Sequence, residues 1–165
     1  GVLLELVHQG ACVIVADVMQ EKLDLAVDLG AAKGLNIKDA DFSKQVLAFT
    51  DGEGVDVVID AVGAASVATS AFEQVCIAGT IVLIGYHNDT FPFNTKPIVS
   101  RELSVYGSRN AMLDDFVAVR RIIEDRSDLK DILVSSRYPF DRIDEAFAYW
   151  SANRGSVTKI LIDFP

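Results

Sequence analysis

A doubly wound α/β fold built on a parallel sheet is what this sequence predicts, and three observations predict it. Short β-branched runs alternate with segments of helical periodicity along most of the 165 residues. The runs are apolar at nearly every position, as strands covered on both faces must be. Glycines punctuate the ends of helices and strands alike, where the chain turns.

The elements follow in order. GVLLELVHQG (1–10) reads as a helix that carries His8, and ACVIVAD (11–17) as the first strand. In the helix that follows, Leu23, Ala26 and Val27 recur at i, i+3, i+4 and Gly30 is the stop. GLNI (34–37) is a short strand, and the next helix puts Phe42, Val46 and Phe49 on one face. VDVVIDAVG (55–63), bounded by Gly54 and Gly63, is the clearest strand. A helix from Ala65 to Cys76 leads into TIVLIGY (80–86), another buried strand. HNDTFPFNTKPIVS carries two prolines and reads as a loop, after which ELSVYGS (102–108) returns to strand character. DDFVAVRRIIEDR (114–126) is an amphipathic helix, with Phe116, Val119 and Ile123 toward the core and Arg120, Arg121 and Glu124 outward. VSSRYPF is extended, and Asp141 to Glu145 open a helix with carboxylates at its positive end. Gly155 ends that helix and SVTKILID closes as a strand.

Composition narrows the function. Half the residues are apolar and about a quarter charged, which is globular and large enough for one core. A net charge of −9 argues against nucleic-acid and anionic-membrane partners, because an acidic surface repels phosphate. No apolar run approaches the roughly 20 residues that span a bilayer, and no basic segment precedes a hydrophobic one as in a signal peptide. Cys12 and Cys76 lie in apolar segments and read as buried free thiols, which suits a reducing cytosol. They make no zinc-ligand spacing with each other or with His8 and His87.

Three groups of residues carry candidate chemistry. Asp17 ends the first strand, where a carboxylate can accept hydrogen bonds from the ribose hydroxyls of an adenosine and repel a 2′-phosphate. An aspartate there can equally cap the helix that follows. Lys22, one turn on, can reach the same ribose or stand as a solvated helix lysine. Ala61, Val62 and Gly63 follow one strand, and Ile84, Gly85 and Tyr86 another. Both strings are small or glycine-containing at the carboxyl edge, where ligands of such sheets lie and backbone must approach a flat ring, although glycine is also common in strand-to-loop turns. Ser108, Arg109 and Asn110 bring donors to the end of the last sheet strand, and a surface turn would choose similar residues. No nucleophile triad or metal cluster is visible, and His87 stands past a strand end without an identifiable partner.

The order of these segments resembles the C-terminal portion, roughly two-thirds, of the nucleotide-binding part of the medium-chain dehydrogenases/reductases, closest to the zinc-dependent alcohol and polyol dehydrogenases. The resemblance runs from Gly1 to Pro165 and rests on VIVADVMQEKLDLAVDLGA, TDGEGVDVVIDAVG, GTIVLIG, RELSVYGSRN and FDRIDEAFAYW…GSVTKILID. It implies a Rossmann sheet with NAD as cofactor, Asp17 and Lys22 on the adenosine ribose, and Ala61, Val62 and Gly63 lining the cofactor. Ile84, Gly85 and Tyr86 would lie along the nicotinamide, Tyr106 to Arg109 near its carboxamide, and Lys159 by the pyrophosphate. GSRN looks like the sugar-alcohol and sugar-acid branch, such as sorbitol, idonate or galactonate dehydrogenases. A secondary alcohol would then give a hydride to the nicotinamide, in a cytoplasmic homodimer or tetramer whose ELSVYGS edge meets its twin.

The family's first strand, glycine loop and GroES-like catalytic domain, with its zinc ligands, would precede Gly1. The interval from Gly1 to Asp17 is shorter than the family's, so either the helix is shortened or, the preferred reading, Gly1 lies past the last glycine of that loop. Residues 1–135 are thus expected to be a partial dinucleotide domain and 136–165 a segment that packs on the catalytic domain. The strands at 11–17 and 55–61 are each expected to leave an unpaired apolar edge. Three other readings stay open: a zinc-free quinone or enoyl reductase, a non-catalytic nucleotide module, and a methyltransferase, which the closing helix and short strand fit poorly.

Overall fold

The computed structural model describes residues 1–86, 90, 92, 94–126 and 128–165. They form two compact units, Gly1–Ala111 and Met112–Pro165. That division falls earlier than the functional division expected at 135/136, because the helices after residue 111 group with the strands that follow them.

In the first unit, α1 (Val2–His8) leads to β1 (Ile14–Asp17), α2 (Gln20–Asp28) and β2 (Lys33–Asn36). Then come α3 (Phe42–Phe49), β3 (Val55–Asp60), α4 (Ala65–Gln74), β4 (Val75–Leu83), the short α5 (Lys96–Ser100) and β5 (Ser104–Gly107). All pairing is parallel, so each strand is reached through a crossover. β1 pairs with β2, with Asp17 opposite Asn36. β3, β4 and β5 pair in that order, with Asp60 opposite Leu83 and Leu83 opposite Gly107. The register therefore brings the ends of β3, β4 and β5 to one edge. Among the described residues β1 pairs only with β2, and β3 only with β4, so each keeps the unpaired edge that the sequence predicts.

Two apolar clusters hold this unit. Ala71 and Phe72 of α4 pack with Val75, Ile81 and Leu103, and Val58, Leu83 and Ile98 close around them. Leu35, Phe42 and Val46 form the second, joined by Ile14, Ile37 and Val55, so α3 links the β1–β2 pair to β3. Gln74 Nε2 donates to Ser43 Oγ at 2.7 Å and ties α4 to α3. The helical faces are narrower than the periodicity predicts: Leu23, Ala26, Phe42 and Val46 are buried, whereas Val27 and Phe49 are exposed. The thiols also depart from expectation. Both are free, but Cys12 is exposed ahead of β1 and Cys76 is half-buried, its Sγ 3.3 Å from the Ile77 carbonyl. β4 starts five residues before the predicted position 80, at Val75, and its pairing with β3 is irregular between Val55 and Val57. The expected loop at 87–100 contains α5, while His87 lies outside the described residues.

Arg101 closes the junction between α4 and β4. Its guanidinium donates to the carbonyl of Phe72 at 2.6 Å and to that of Val75. These carbonyls sit where a helix end leaves acceptors orphaned. An Arg101→Met variant is expected to lose about 2 kcal/mol of stability and Arg101→Lys about half of that. Urea unfolding midpoints check this, and an unchanged midpoint for Arg101→Met would remove the guanidinium's role.

The second unit contains α6 (Leu113–Asp125), α7 (Leu129–Leu133), β6 (Val134–Pro139), a 3-10 turn (Phe140–Arg142), α8 (Ile143–Ala152) and β7 (Lys159–Asp163). Asp115 accepts the Met112 amide at 2.6 Å and closes the first turn of α6. β6 and β7 pair in parallel, with Arg137 Nη2 2.8 Å from Asp163 Oδ1 across the pair. Leu129 and Ala146 are buried. The face of α6 is rotated from the predicted one: Ile122 is its buried residue, while Phe116 and Val119 are exposed. Phe116, Val119 and Ile123 instead line an open hollow with Arg120, Glu124 and Lys130. No helix of the described residues is long and apolar enough to cross a membrane.

Candidate functional site

The carboxyl edge of the first unit gathers most of the residues singled out from the sequence. The loop after β3 presents Ala61, Val62 and Gly63, and the loop after β4 presents Ile84, Gly85 and Tyr86. Their two glycines are explained by each other. A Cβ on Gly63 would stand 2.2 Å from the Tyr86 nitrogen, and one on Gly85 would stand 2.3 Å from the Gly63 nitrogen. Gly63 also holds φ +80°, which favours a residue without Cβ. The loops thus meet backbone to backbone, and close packing between them is the observed reason for both glycines.

Around this contact the surface is open and apolar. Val62 and Tyr86 are largely exposed, at 68% and 74%, and Ile84 partly so. The loop after β5 joins in, because the Ser108 amide donates to the Leu83 carbonyl at 2.9 Å. Its Arg109 guanidinium stands over the Tyr86 ring, 5.9 Å from the centroid, a cation–π contact between two loops. Arg120, Arg126, Arg137 and Arg142 each pair with a carboxylate. Tyr106 sits inside β5 opposite Val82, with its side chain exposed. Asn110 follows with φ +67°.

Asp17 ends β1. Its Oδ1 accepts the amides of Val18 and Met19 at 2.7 and 3.0 Å, which satisfies donors ahead of α2. Oδ2 has no partner among the described residues, so the carboxylate is held by one oxygen while the other can accept. Met19 is the N-cap of α2 and that helix has no side-chain cap hydrogen bond, so Asp17 braces the turn ahead of the helix rather than capping it as the sequence suggests. Lys22 is exposed on the first turn of α2. Lys159 lies in the second unit as the first residue of β7, opposite Val134. It borders a hollow of about 280 Å³ with Phe147, Trp150 and Ile160 among its walls.

Sequence reasoning passed over Asp60. It is 2% exposed, and its Oδ1 accepts the amides of Val62 and Gly63, both at 2.9 Å. Its backbone carbonyl accepts the amides of Ile84 and Gly85 at 2.8 and 2.9 Å. The available signal was an aspartate three residues before a glycine at a strand end, the pattern of a side chain that folds back on its own turn.

An edge of this kind can cradle a flat, partly apolar ligand on backbone and small side chains, with a carboxylate acceptor at the end of β1. Among the described residues no three His, Cys, Asp or Glu side chains are grouped to hold a metal ion, so these residues do not fit a zinc centre.

A parallel α/β sheet with loops converging at the carboxyl ends of its strands belongs to the class of folds whose ligands lie at that edge. The chain belongs to the zinc-binding dehydrogenase family, whose model matches residues 3–125. It is 35% identical over 135 residues to a putative D-xylulose reductase of Agrobacterium fabrum, covering 80% of this chain and 38% of that protein. It is 27% identical over 155 residues to L-galactonate-5-dehydrogenase of Escherichia coli K12, covering 94% of this chain and 46% of that protein. An alcohol dehydrogenase from E. coli CFT073, described as short chain and solved with the cofactor NADH, superposes with a TM-score of 0.84 at 23% identity. That match covers 99% of this chain and 48% of the other. The chain spans about half the length of the relatives it matches.

Proposed function

We propose that these residues are the cofactor-binding half of an NAD-dependent dehydrogenase that oxidises a secondary alcohol of a polyol or sugar acid. The observation that carries this reading is Asp17, a carboxylate fixed by one oxygen at the end of β1 with its second oxygen free to accept. Two ribose hydroxyls suit that acceptor, whereas a 2′-phosphate would meet a like charge, which favours NAD over NADP. Lys22 adds a cation on the same side. Ala61, Val62 and Gly63 line the dinucleotide, Ile84, Gly85 and Tyr86 lie along the nicotinamide, and Tyr106, Ser108 and Arg109 stand near its carboxamide. The bound nicotinamide supplies the hydride acceptor. The chain's own residues bind it, orient its ring against the apolar loops and keep water from that face.

In this reading residues 1–135 belong to the dinucleotide domain and 136–165 pack on a GroES-like catalytic domain. A further strand fills the space between the free edges of β1 and β3, and any zinc site of the family lies outside these 165 residues. The protein works in the cytoplasm as a homodimer or tetramer, with the outer edge of β5 paired to its twin. Support comes from the family match and from relatives named as an L-galactonate-5-dehydrogenase and a putative D-xylulose reductase. The test is turnover by the complete protein, followed by NADH absorbance, on a panel of polyols and aldonates. Reduction of NAD with at least one of them is expected. Quinone reduction with NADPH, or no turnover with any alcohol, would replace this reading with the zinc-free reductase or the non-catalytic module.

A further inference from the structure

We infer that Asp60 is a positioning residue that latches the loops after β3 and β4 into one rigid ledge and so sets affinity at the nicotinamide end of the cofactor. The inference rests on the dinucleotide reading above and concerns a residue that has no role in it. Asp60 works from one side-chain oxygen and from its backbone carbonyl. Oδ1 holds the amides of Val62 and Gly63 in the loop after β3. The backbone carbonyl holds the amides of Ile84 and Gly85 in the loop after β4. The side chain therefore fixes the first loop to the same residue whose main chain fixes the second.

The glycine contact makes this latch sensitive. Gly63 and Gly85 are so close that neither could carry a Cβ without displacing backbone. The ledge has one tight arrangement rather than a range of looser ones, and it needs the amides of Val62 and Gly63 held in place. Asp60 is almost wholly buried, so water cannot replace its oxygen without opening the loops. The groups that the ledge presents outward, Val62, Ile84 and Tyr86, are the exposed apolar ones. Arg109, placed over the Tyr86 ring, extends the same surface. Asp17 is at the end of a different strand pair and shares no hydrogen bond with this network. A loosened ledge should thus weaken one end of the dinucleotide and spare the other.

The test is calorimetric titration of the complete protein and its variants with NADH and with AMP, which probes the adenosine end alone. Asp60→Ala is expected to weaken NADH about tenfold while AMP changes less than about twofold. Asp60→Asn keeps an oxygen acceptor at the same position and should restore NADH affinity to within about threefold of the parent. Asp60→Glu, milder should the alanine variant fail to fold, moves the oxygen by one methylene and should show the same selective loss. Equal weakening of NADH and AMP, no weakening of either, or an asparagine variant as weak as alanine would overturn the inference. A parent protein that binds AMP but no nicotinamide dinucleotide would overturn the dinucleotide reading itself, a result seen before any variant is made.

Discussion

A Gly63→Ala variant is expected to lose about 3–5 kcal/mol of stability, most of what a single domain has to spare. Two effects add. The new Cβ would stand 2.2 Å from the Tyr86 nitrogen and 2.5 Å from the Gly85 carbonyl carbon, so backbone must move on the facing loop. Overpacking against groups that cannot rotate away costs about 1–3 kcal/mol, and parting the loops strains the amides held by Asp60. The φ of +80° adds about 1–2 kcal/mol for any residue with a Cβ. Gly52→Ala is the control, because Gly52 has φ +89° with open space around it and should show the backbone cost alone. Chemical denaturation of both variants reads the difference. Equal losses would mean that the contact between the loops contributes nothing.

Replacing Asp17 with alanine has the second large effect. Hydrogen bonds from two ribose hydroxyls to a carboxylate are worth about 1.5–3 kcal/mol each, and the variant also loses the acceptor for the Val18 and Met19 amides. NADH is expected to bind about 100-fold more weakly, with NADPH affinity changing little or improving as the like charge is removed. Asp17→Asn keeps Oδ1 for the two amides and so separates the turn-bracing role from the proposed ligand role: it should preserve stability while still losing much of the NADH affinity. An alanine variant that binds NADH as tightly as the parent would show that Asp17 only braces the turn ahead of α2.

How far the sequence reaches depends on the physics each residue answers to. Strand-forming runs with glycine ends are local signals, and β1, β2, β3 and β5 appear within a few residues of their predicted places. The unpaired edges of β1 and β3 were likewise legible, because parallel order follows from the crossovers. Helix faces were less so. In α6 the buried residue is Ile122, although an apolar stripe at 116, 119 and 123 satisfies the same periodicity. A repeat of 3.6 residues says that a face exists, and tertiary packing chooses which one is covered. Apolar neighbours point Cys12 and Cys76 to the interior, yet Cys12 stands exposed ahead of β1 and Cys76 half-buried near the start of β4.

The candidate site divides in the same way. Asp17 was visible because a strand-end carboxylate is a one-residue signal, but its Oδ1 braces the turn ahead of α2 and the expected helix cap is not made. Gly63 and Gly85 were visible as glycines, but their contact spans 22 positions and exists only after β3 and β4 are in register. Asp60 was missed for the same reason: half of its hydrogen bonds reach the other loop. The cation–π contact of Arg109 with Tyr86 also joins two loops that only the sheet brings together.

The central claim is that this edge, with Asp17 at one end, binds NAD in preference to NADP. Calorimetric titration of the complete protein with NADH and NADPH under one set of conditions tests it most directly. NADH is expected to bind at least about tenfold tighter, and tighter binding of NADPH, or no heat with either, would contradict the account.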